Sequence, residues 1–567
     1  MKRFLTLPAV LILVALACRL TGQDAPGTPT PSPILGDWFF KGCAFLDSNG
    51  NEKLDAADAP IENALFTMNI NIGAGFGGRT DASGCTVVTI PGGSSEDIYP
   101  ATAKMTEPDG SGYTLIGAAV RRLDYPDTRS DFLFSMSAAS PSPATADFTI
   151  TLGPPDGGTI RPLLGVNAGP MPAGTDPGNA DLTEAYQTIG VTMIRTHDFY
   201  GPLDMATLYP DPMADPADPP SYDFADSDEQ FAAILAGGFE PYLRLGNSYN
   251  NSQAPANPEN WVRAAVEVVG HYRQMAAAAA IPLRYVEIWN EPDNRHFWDA
   301  DRVAFFDLFA QTAQALKLAF PDLKVGGPGL TPAGFLAPQG QQYTQDFLEY
   351  MQSKDVPLDF FSWHVYSNDP NDFLNGSRFY REQLDAHGYT AAESHISEWN
   401  TQFKDPATDD ISVRTGARGA AILSAAWIAL QGESVDVSTF YRGNDPAMDA
   451  PHFFGMFYAD GQPKPAALAF SLWAQLAAHP QRLSLSEAGG ERSPLWNMAG
   501  QDARGNIAVL VANPTENHLS YALAGLPGEA LIIRQISDPA AEIDTFPALA
   551  AAIEISPNTV QLVTSEP

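Results

Sequence analysis

Arg284-Tyr285-Val286-Glu287-Ile288-Trp289-Asn290-Glu291-Pro292 is the stretch on which the fold turns, a hydrophobic, β-branched run closed by a glutamate. A second run of the same build, Ser394-His395-Ile396-Ser397-Glu398-Trp399-Asn400, also closes on a glutamate. Around them, from about Thr159 onward, strand-like runs alternate with helix-like ones, the pattern of an α/β domain built on a parallel sheet. Working outward gives eight candidate strands: Arg161 to Asn167, Thr192 to His197, Pro241 to Leu245, Arg284 to Trp289, Lys324 to Gly327, Asp359 to Tyr366, His395 to Trp399 and Val435 to Tyr441. Eight strands with intervening helices predict a (β/α)8 TIM barrel over residues 156–480. Helices are expected at Trp261 to Ala280, Arg302 to Ala319, Tyr343 to Gln352, Asn375 to His387, Ser412 to Leu430 and Pro465 to Leu476.

β-Patterned segments flank the barrel. Residues 36–155 carry short alternating runs punctuated by turns, at Trp38 to Ala44, Ala64 to Ile72, Cys85 to Ile90, Tyr113 to Val120 and Asp147 to Leu152, and predict an N-terminal β-sandwich. Residues 481–567 return to strand patterning at Ile507 to Ala512, Ala530 to Ile536 and Thr559 to Thr564, and predict a C-terminal β-sandwich. A length of 567 residues suits such a multidomain chain, and 44% hydrophobic residues are ample for large cores.

Met1-Lys2-Arg3 and the apolar run Phe4 to Ala17 have the charged and hydrophobic regions of a secretory signal, too short for a membrane span. Val14-Ala15-Leu16-Ala17-Cys18 resembles a bacterial lipobox, which implies a cell-surface lipoprotein anchored through Cys18; a cleaved signal with an incidental cysteine is the alternative. The segment 1–23 is thus read as signal, and 24–35, rich in Pro, Thr and Gly, as a linker. The remaining cysteines, Cys43 and Cys85, form an even pair in a secreted chain, either as a disulfide or as two buried thiols. A net charge of −35 repels nucleic acid and anionic headgroups, so a neutral partner such as a carbohydrate fits better. No oligomeric state follows from these features.

Asp47, Asn49, Asn51, Asp55 and Asp58 place oxygen ligands at spacings that suit a hard cation, and an Asx-rich surface turn is the alternative. The surrounding segment resembles the calcium-loop opening of bacterial surface domains of the Cna-B or SdrD-B type, and Thr80-Asp81-Ala82-Ser83-Gly84 resembles their later turn. That resemblance implies a structural calcium; Glu52 stands where a glycine is usual.

In barrels of this kind, residues at the carboxyl ends of strands face the active site. Glu291 ends the fourth candidate strand and Glu398 the seventh, on opposite sides of the mouth. Paired carboxyl groups flanking a scissile bond are what glycosidic cleavage requires, and their separation decides between retention and inversion. The motifs Asn290-Glu291-Pro292 and Ser397-Glu398-Trp399-Asn400 resemble the acid/base and nucleophile motifs of clan A glycoside hydrolases. Ile194-Arg195-Thr196-His197, His364-Val365-Tyr366, Phe454-Gly455-Met456-Phe457 and Pro463-Lys464-Pro465-Ala466 narrow the likeness to glycoside hydrolase family 39, the β-xylosidases and α-L-iduronidases.

The resemblance implies a retaining glycosidase in which Glu291 is the general acid/base and Glu398 the nucleophile. It further implies that Asn290 bonds the sugar 2-hydroxyl, that Arg195 and Tyr366 orient the nucleophile, and that His197 and His364 shape the subsite. Trp289, Trp363 and Trp399 are either packing residues or sugar platforms, and Trp399 is counted with the substrate-binding set. Glu287 is expected to share the strand face of Trp289 and Glu291 as an interior hydrogen-bonding residue. The charge of Glu398 is expected to raise the pKa of Glu291. After strand eight, where the family carries a Trp platform, Ser438-Thr439-Phe440-Tyr441-Arg442 stands instead.

No Gly-x-Ser-x-Gly, His-Glu-x-x-His or Gly-x-Gly-x-x-Gly motif is present in a fitting context, so no catalytic cofactor is expected. The competing readings are a surface carbohydrate-binding or adhesion protein without turnover, and an endo-acting enzyme of another clan A family.

Overall fold

The structure is a computed structural model that describes residues 37–565, apart from 49–52, 56–57, 72–74, 91–93, 109–112, 119, 137–145, 172–178, 198–200, 403–411, 446–453, 489–492, 527–529, 539–541 and 550–551. The signal, Cys18 and the linker lie outside the described residues, as do the candidate ligands Asn49 and Asn51.

Eight strands close a parallel barrel in chain order: β1 (Gly165–Asn167), β2 (Met193–Arg195), β3 (Glu240–Leu245), β4 (Tyr285–Ile288), β5 (Lys324–Leu330), β6 (Phe360–Tyr366), β7 (Glu393–Asn400) and β8 (Val437–Phe440). Gly165 and Val166 of β1 pair back to Thr439 and Phe440 of β8, which completes the ring. Side-chain alternation sorts each strand into an inward and an outward set. On β4, Val286 and Ile288 face the helices, while Tyr285 joins Met193, Tyr242, Phe360 and Val437 in an apolar floor near the strands' N-terminal ends. His395 of β7 stacks on Phe360 in this floor, with centroids 4.2 Å apart. The polar residues that matter chemically stand above it, toward the strands' C-terminal ends.

The helix expected at Arg302 to Ala319 has those bounds. The one expected at Ser412 to Leu430 is divided, because Gly416 is extended and only Ala417–Leu430 is α-helical. Nearly every residue of Ala417–Leu430 is buried, since the helix packs on the barrel with one face and on the C-terminal sheet with the other. A helix apolar all round is the sequence consequence of that double burial. Helix Ala225–Ala236 escapes a sequence reading because its first turn is acidic and its buried face narrow, made by Ser227, Phe231, Ile234 and Leu235.

The N-terminal β-domain is two sheets around one core, with Phe40, Phe66, Met105, Phe132 and Phe134 among its buried residues. Trp38–Leu46 pairs antiparallel with Cys85–Ile90, which sets Cys43 opposite Cys85, and the two form a disulfide. The run expected as a single strand from Tyr113 to Val120 breaks at Gly117, whose φ of 97° turns the chain from one sheet to the other. Gly42 admits the Phe66 ring from the facing sheet, since a Cβ there would lie 2.1 Å from that ring.

The strand expected at Asp147 to Leu152 corrects the reading of the N-terminal domain. As Phe148–Thr159 it joins the C-terminal sheet, antiparallel to Gln481–Ala488 and parallel to Leu519–Ala524. Its alternating Phe148, Ile150 and Leu152 mark a buried face but carry nothing about which core they enter, and they enter the C-terminal one. That nine-stranded sheet folds over on itself: Tyr521 Oη donates to Gln561 Oε1 at 2.7 Å although their strands are not neighbours in the sheet.

Asp58 accepts the N–H groups of Asp55 at 2.7 Å and Ser48 at 3.3 Å, closing the acidic loop that follows Asp47. No described helix is long and apolar enough to cross a membrane.

Candidate active site

The acid-bearing strand ends are set by backbone geometry. β4 stops at Ile288, and Trp289 and Glu291 then take left-handed conformations, with φ of 78° and 46°. Such a conformation costs roughly 1–2 kcal/mol per residue, so something must hold it. Trp289 N–H donates to Leu245 C=O at 2.8 Å and Glu291 N–H to Gly329 C=O at 2.9 Å, tying the turn to β3 and β5. The turn breaks strand alternation. Trp289 does not share the face of Glu287 but points outward, with Trp261, Trp298 and Phe305, while Asn290 and Glu291 face the mouth.

On β7 Glu398 is at the mouth, so its neighbour Trp399 points out of the barrel, wholly buried against Phe373, Trp427 and Phe440. The expectation that Trp399 binds substrate is therefore corrected: a bulge in β7 between Ile396 and Glu398 breaks the alternation, turning Glu398 inward and Trp399 outward as a packing residue. Trp363 and Trp289 are buried in the same outer layer.

Arg195, at the end of β2, is the hub. Its Nε and Nη2 meet Glu287 Oε2 at 2.6 Å, its Nη1 donates to Asn167 Oδ1 at 2.8 Å and to Glu398 Oε1 at 2.9 Å, and its Nη2 donates to Asn290 Oδ1 at 2.7 Å. Tyr366 Oη donates to Glu398 Oε2 at 2.7 Å, and His197 Nε2 lies 3.4 Å from Oε1. His364 Nδ1 stands between the two acids, 2.8 Å from Glu291 Oε1 and 3.4 Å from Glu398 Oε2. One oxygen from each carboxyl and one ring nitrogen of His364 lie within 4.8 Å of one another. That is the close pairing of a retaining glycosidase, at about 5–5.5 Å, rather than the wider gap that admits an inverting water.

A cavity of about 200 Å³ opens over the pair, lined by His197, Asn290, Tyr366 and the two glutamates among others. Asn290 Nδ2 is buried without a partner among the described residues, ready to donate to a ligand hydroxyl.

The comparisons with known proteins agree with this geometry. The model for glycosyl hydrolases family 39 matches residues 167–403. These residues form a glycosyl hydrolase family 39 domain. Among its relatives, a β-xylosidase of Geobacillus stearothermophilus is 24% identical over 367 residues, spanning 56% of this chain and 70% of that protein. A glucosidase from Croceicoccus marinus superposes with a TM-score of 0.60 at 23% identity, over 74% of this chain and 99% of that one. A family 39 β-xylosidase from Caulobacter crescentus gives 0.57 at 21%, over 74% and 100%. The chain is a glycosidase that hydrolyses O-glycosyl compounds.

Electrostatics divide the family 39 site into a charged nucleophile side and a neutral acid side. Burial pulls the Arg195 guanidinium down, but the Glu287 and Glu398 carboxylates outweigh it and hold the cation above its ordinary range. Burial, then Arg244 and Arg195, push His197 well below the usual histidine range, and burial also lowers His364. Glu291 is raised to about 7, and the cause is burial; the Asn294 hydrogen bond, Arg195 and His296 act against it. The expectation that the Glu398 charge drives this rise is thus corrected: Arg195 stands beside that carboxylate and compensates it. Among the described residues Glu291, His364 and Glu398 are clustered closely enough to hold a metal ion, but the guanidinium already supplies the positive charge there.

Sequence reasoning missed several members of the family 39 site. Asn167, at the end of β1, anchors Arg195 and donates through Nδ2 to the carbonyls of Ser397 and Thr439. Glu287, read as an interior hydrogen-bonding residue, is the second carboxylate of Arg195. Tyr249, Asn294, Phe297, Tyr441 and Phe454 line the cavity from loops. Tyr441 immediately follows β8, at the segment where the family's Trp platform is replaced, and its ring lies 5.6 Å from Phe454. His364 differs from expectation in the opposite direction, for it touches the carboxyls from below and is wholly buried.

Proposed function

We propose that the chain is a cell-surface retaining glycosidase that releases xylose- or glucose-type pyranosides from oligo- or polysaccharides, with Glu398 as nucleophile and Glu291 as acid/base. Glu398 attacks the anomeric carbon while Glu291 passes its proton to the leaving oxygen, the C1–O bond breaking with its electrons going to that oxygen. A water then attacks the glycosyl ester, Glu291 takes the water's proton, and the ester bond returns its electrons to Glu398. The single observation that carries this reading is the approach of the two carboxyls within 4.8 Å around His364. The sugar class rests on the relatives, a β-xylosidase and a glucosidase by name. Asn290 would take the 2-hydroxyl through its Nδ2, Arg195 and Tyr366 would hold Glu398 aimed at the anomeric carbon, and His197 would meet the sugar.

A mechanism-based fluoroglycoside label, followed by peptide mass spectrometry, tests the assignment. It should arrest turnover and map to Glu398; a label on any other carboxylate, or sugar binding without release from aryl β-xylosides, β-glucosides and plant or bacterial polysaccharides, would overturn it.

Export and lipidation at Cys18 place this activity at the cell surface in our reading, supported by the signal-like sequence and the net charge of −35. Cys18→Ser should move the protein from the detergent phase to the aqueous phase. Calcium in the loop of Asp47, Asn49, Asn51, Asp55 and Asp58 would be structural, and its supporting observation is the gathering of Asp55 and Ser48 around Asp58. Calcium should raise the melting temperature of the N-terminal domain, and chelation should lower it.

A further inference from the structure

Glu291 is gripped on both oxygens, by different means. Oε1 lies 2.8 Å from His364 Nδ1, and Oε2 accepts the Asn294 side-chain amide at 3.0 Å. The Asn294 amide has one orientation that satisfies its neighbours. Its Oδ1 accepts the His296 N–H at 3.1 Å, so Nδ2 is the end that meets Glu291. Backbone bonds hold the residue in register: its N–H donates to Glu291 C=O at 2.9 Å, and its C=O accepts from Phe297 and Trp298. Asn294 also lines the cavity beside Glu291.

We propose that Asn294 is a positioning residue that selects the working oxygen of Glu291, its amide occupying Oε2 so that Oε1 carries the proton and delivers it to the leaving group. This rests on the reading of Glu291 as the acid/base. A protonated carboxyl oxygen is a weak acceptor, so amide and proton divide the two oxygens between them. In the resting enzyme the Oε1 proton lies in the hydrogen bond to His364 Nδ1, whose ring burial favours as neutral. The Nε2–H then faces Glu287 across the space beside Gly329, where an added Cβ would sit 3.2 Å from Nε2 and 3.3 Å from Glu287 Oε1. An arriving glycosidic oxygen replaces Nδ1 as acceptor; the proton leaves Oε1, the C1–O bond breaks, and Glu291 is left a carboxylate with the amide still donating to Oε2. The same donor steadies that charge until Glu291 takes a proton from water.

The other charged or titratable groups around Glu291 are Arg195 from β2, His364 and Tyr366 from β6, Glu398 from β7, and Asp293 and His296 from its own loop. All remain when Asn294 alone is changed. Because the amide favours the ionised carboxyl, Asn294→Ala should move the alkaline limb of kcat/KM upward by about one unit. Hydrolysis of alkyl glycosides, whose poor leaving groups need the proton, should fall roughly tenfold, and that of dinitrophenyl glycosides should hold. Asn294→Asp keeps the side-chain shape, replaces the donor by a second negative charge and should shift the limb further; it carries the test if the alanine variant does not fold. An unmoved limb in these variants, or an equal loss on every leaving group with a lowered melting temperature, would overturn the proposal. Glu291→Ala run alongside separates the two readings: undiminished alkyl-glycoside hydrolysis in that variant means the acid assignment itself has failed.

Discussion

Glu393, at the start of β7 in the barrel floor, and Glu291, beyond the end of β4 at the mouth, have opposite electrostatics. Glu393 in the floor meets His395 Nε2 at 3.0 Å and also Lys324, and although burial pushes its carboxyl up, those partners hold it at about 2. Glu398 at the mouth meets Arg195, and across from it Glu291 has no lysine or arginine in contact among the described residues, so burial raises Glu291 to about 7. The same barrel interior thus makes one carboxyl a permanent anion and another a proton donor near neutral pH. Burial alone does not decide the state of a carboxyl; whether a cation is bonded to it does.

The contrast can be broken by substitution. Glu398→Gly should lower kcat by about 10⁴-fold or more, with azide restoring turnover as an inverted glycosyl azide; full activity without azide would remove the nucleophile from the mouth. Glu291→Gln should cost about 10²–10⁴-fold on substrates with poor leaving groups. For the wild type, activity that needs protonated Glu291 should fail as pH rises past about 7. Its raised pKa also means that ionisation works against the fold, so Glu291→Gln should melt no lower than wild type at pH 8, a difference that disappears below the unfolded value of 4.5.

Arg195→Met leaves Glu287 and Glu398 as buried, unpaired anions, and about 3–5 kcal/mol of stability should go with it, read in urea unfolding. Glu393→Gln should show the reverse pH pattern to Glu291→Gln, with kcat kept. Glu393 stabilises the fold above the unfolded value of 4.5 and loses that contribution as pH falls toward about 2, so the gap in melting temperature should narrow with acid. Trp399→Phe should have the smallest catalytic effect, an unchanged KM with a modestly lowered melting temperature, because its ring lies outside the barrel; a raised KM would return it to the sugar site.

The barrel was legible because its eight strands are punctuated by helices and each strand's apolar run survives averaging over neighbours. Both carboxylates were legible for the same reason, as polar residues at the ends of apolar runs. Asn294 and Tyr441 were not, since a lone asparagine or tyrosine in a loop has the same local signature whether it faces a cavity or solvent, and Asn167, though it ends β1 as the glutamates end their runs, carries no acid chemistry to single it out. Trp289 and Trp399 were ambiguous in a different way. Each adjoins a mouth residue in sequence, and only the left-handed turn at Trp289 and the bulge in β7 send the rings outward.

By itself the sequence determined the α/β alternation, the order of the strands and which acids end them, because these depend on local periodicity. Tertiary structure decided the rest: that Phe148–Thr159 enters the C-terminal sheet, that Arg195 serves Glu287 and Glu398 together, and that burial rather than Glu398 sets the state of Glu291. Those outcomes arise between residues far apart in the chain, where the energy lies in desolvation and in the partner that closure of the barrel brings within reach.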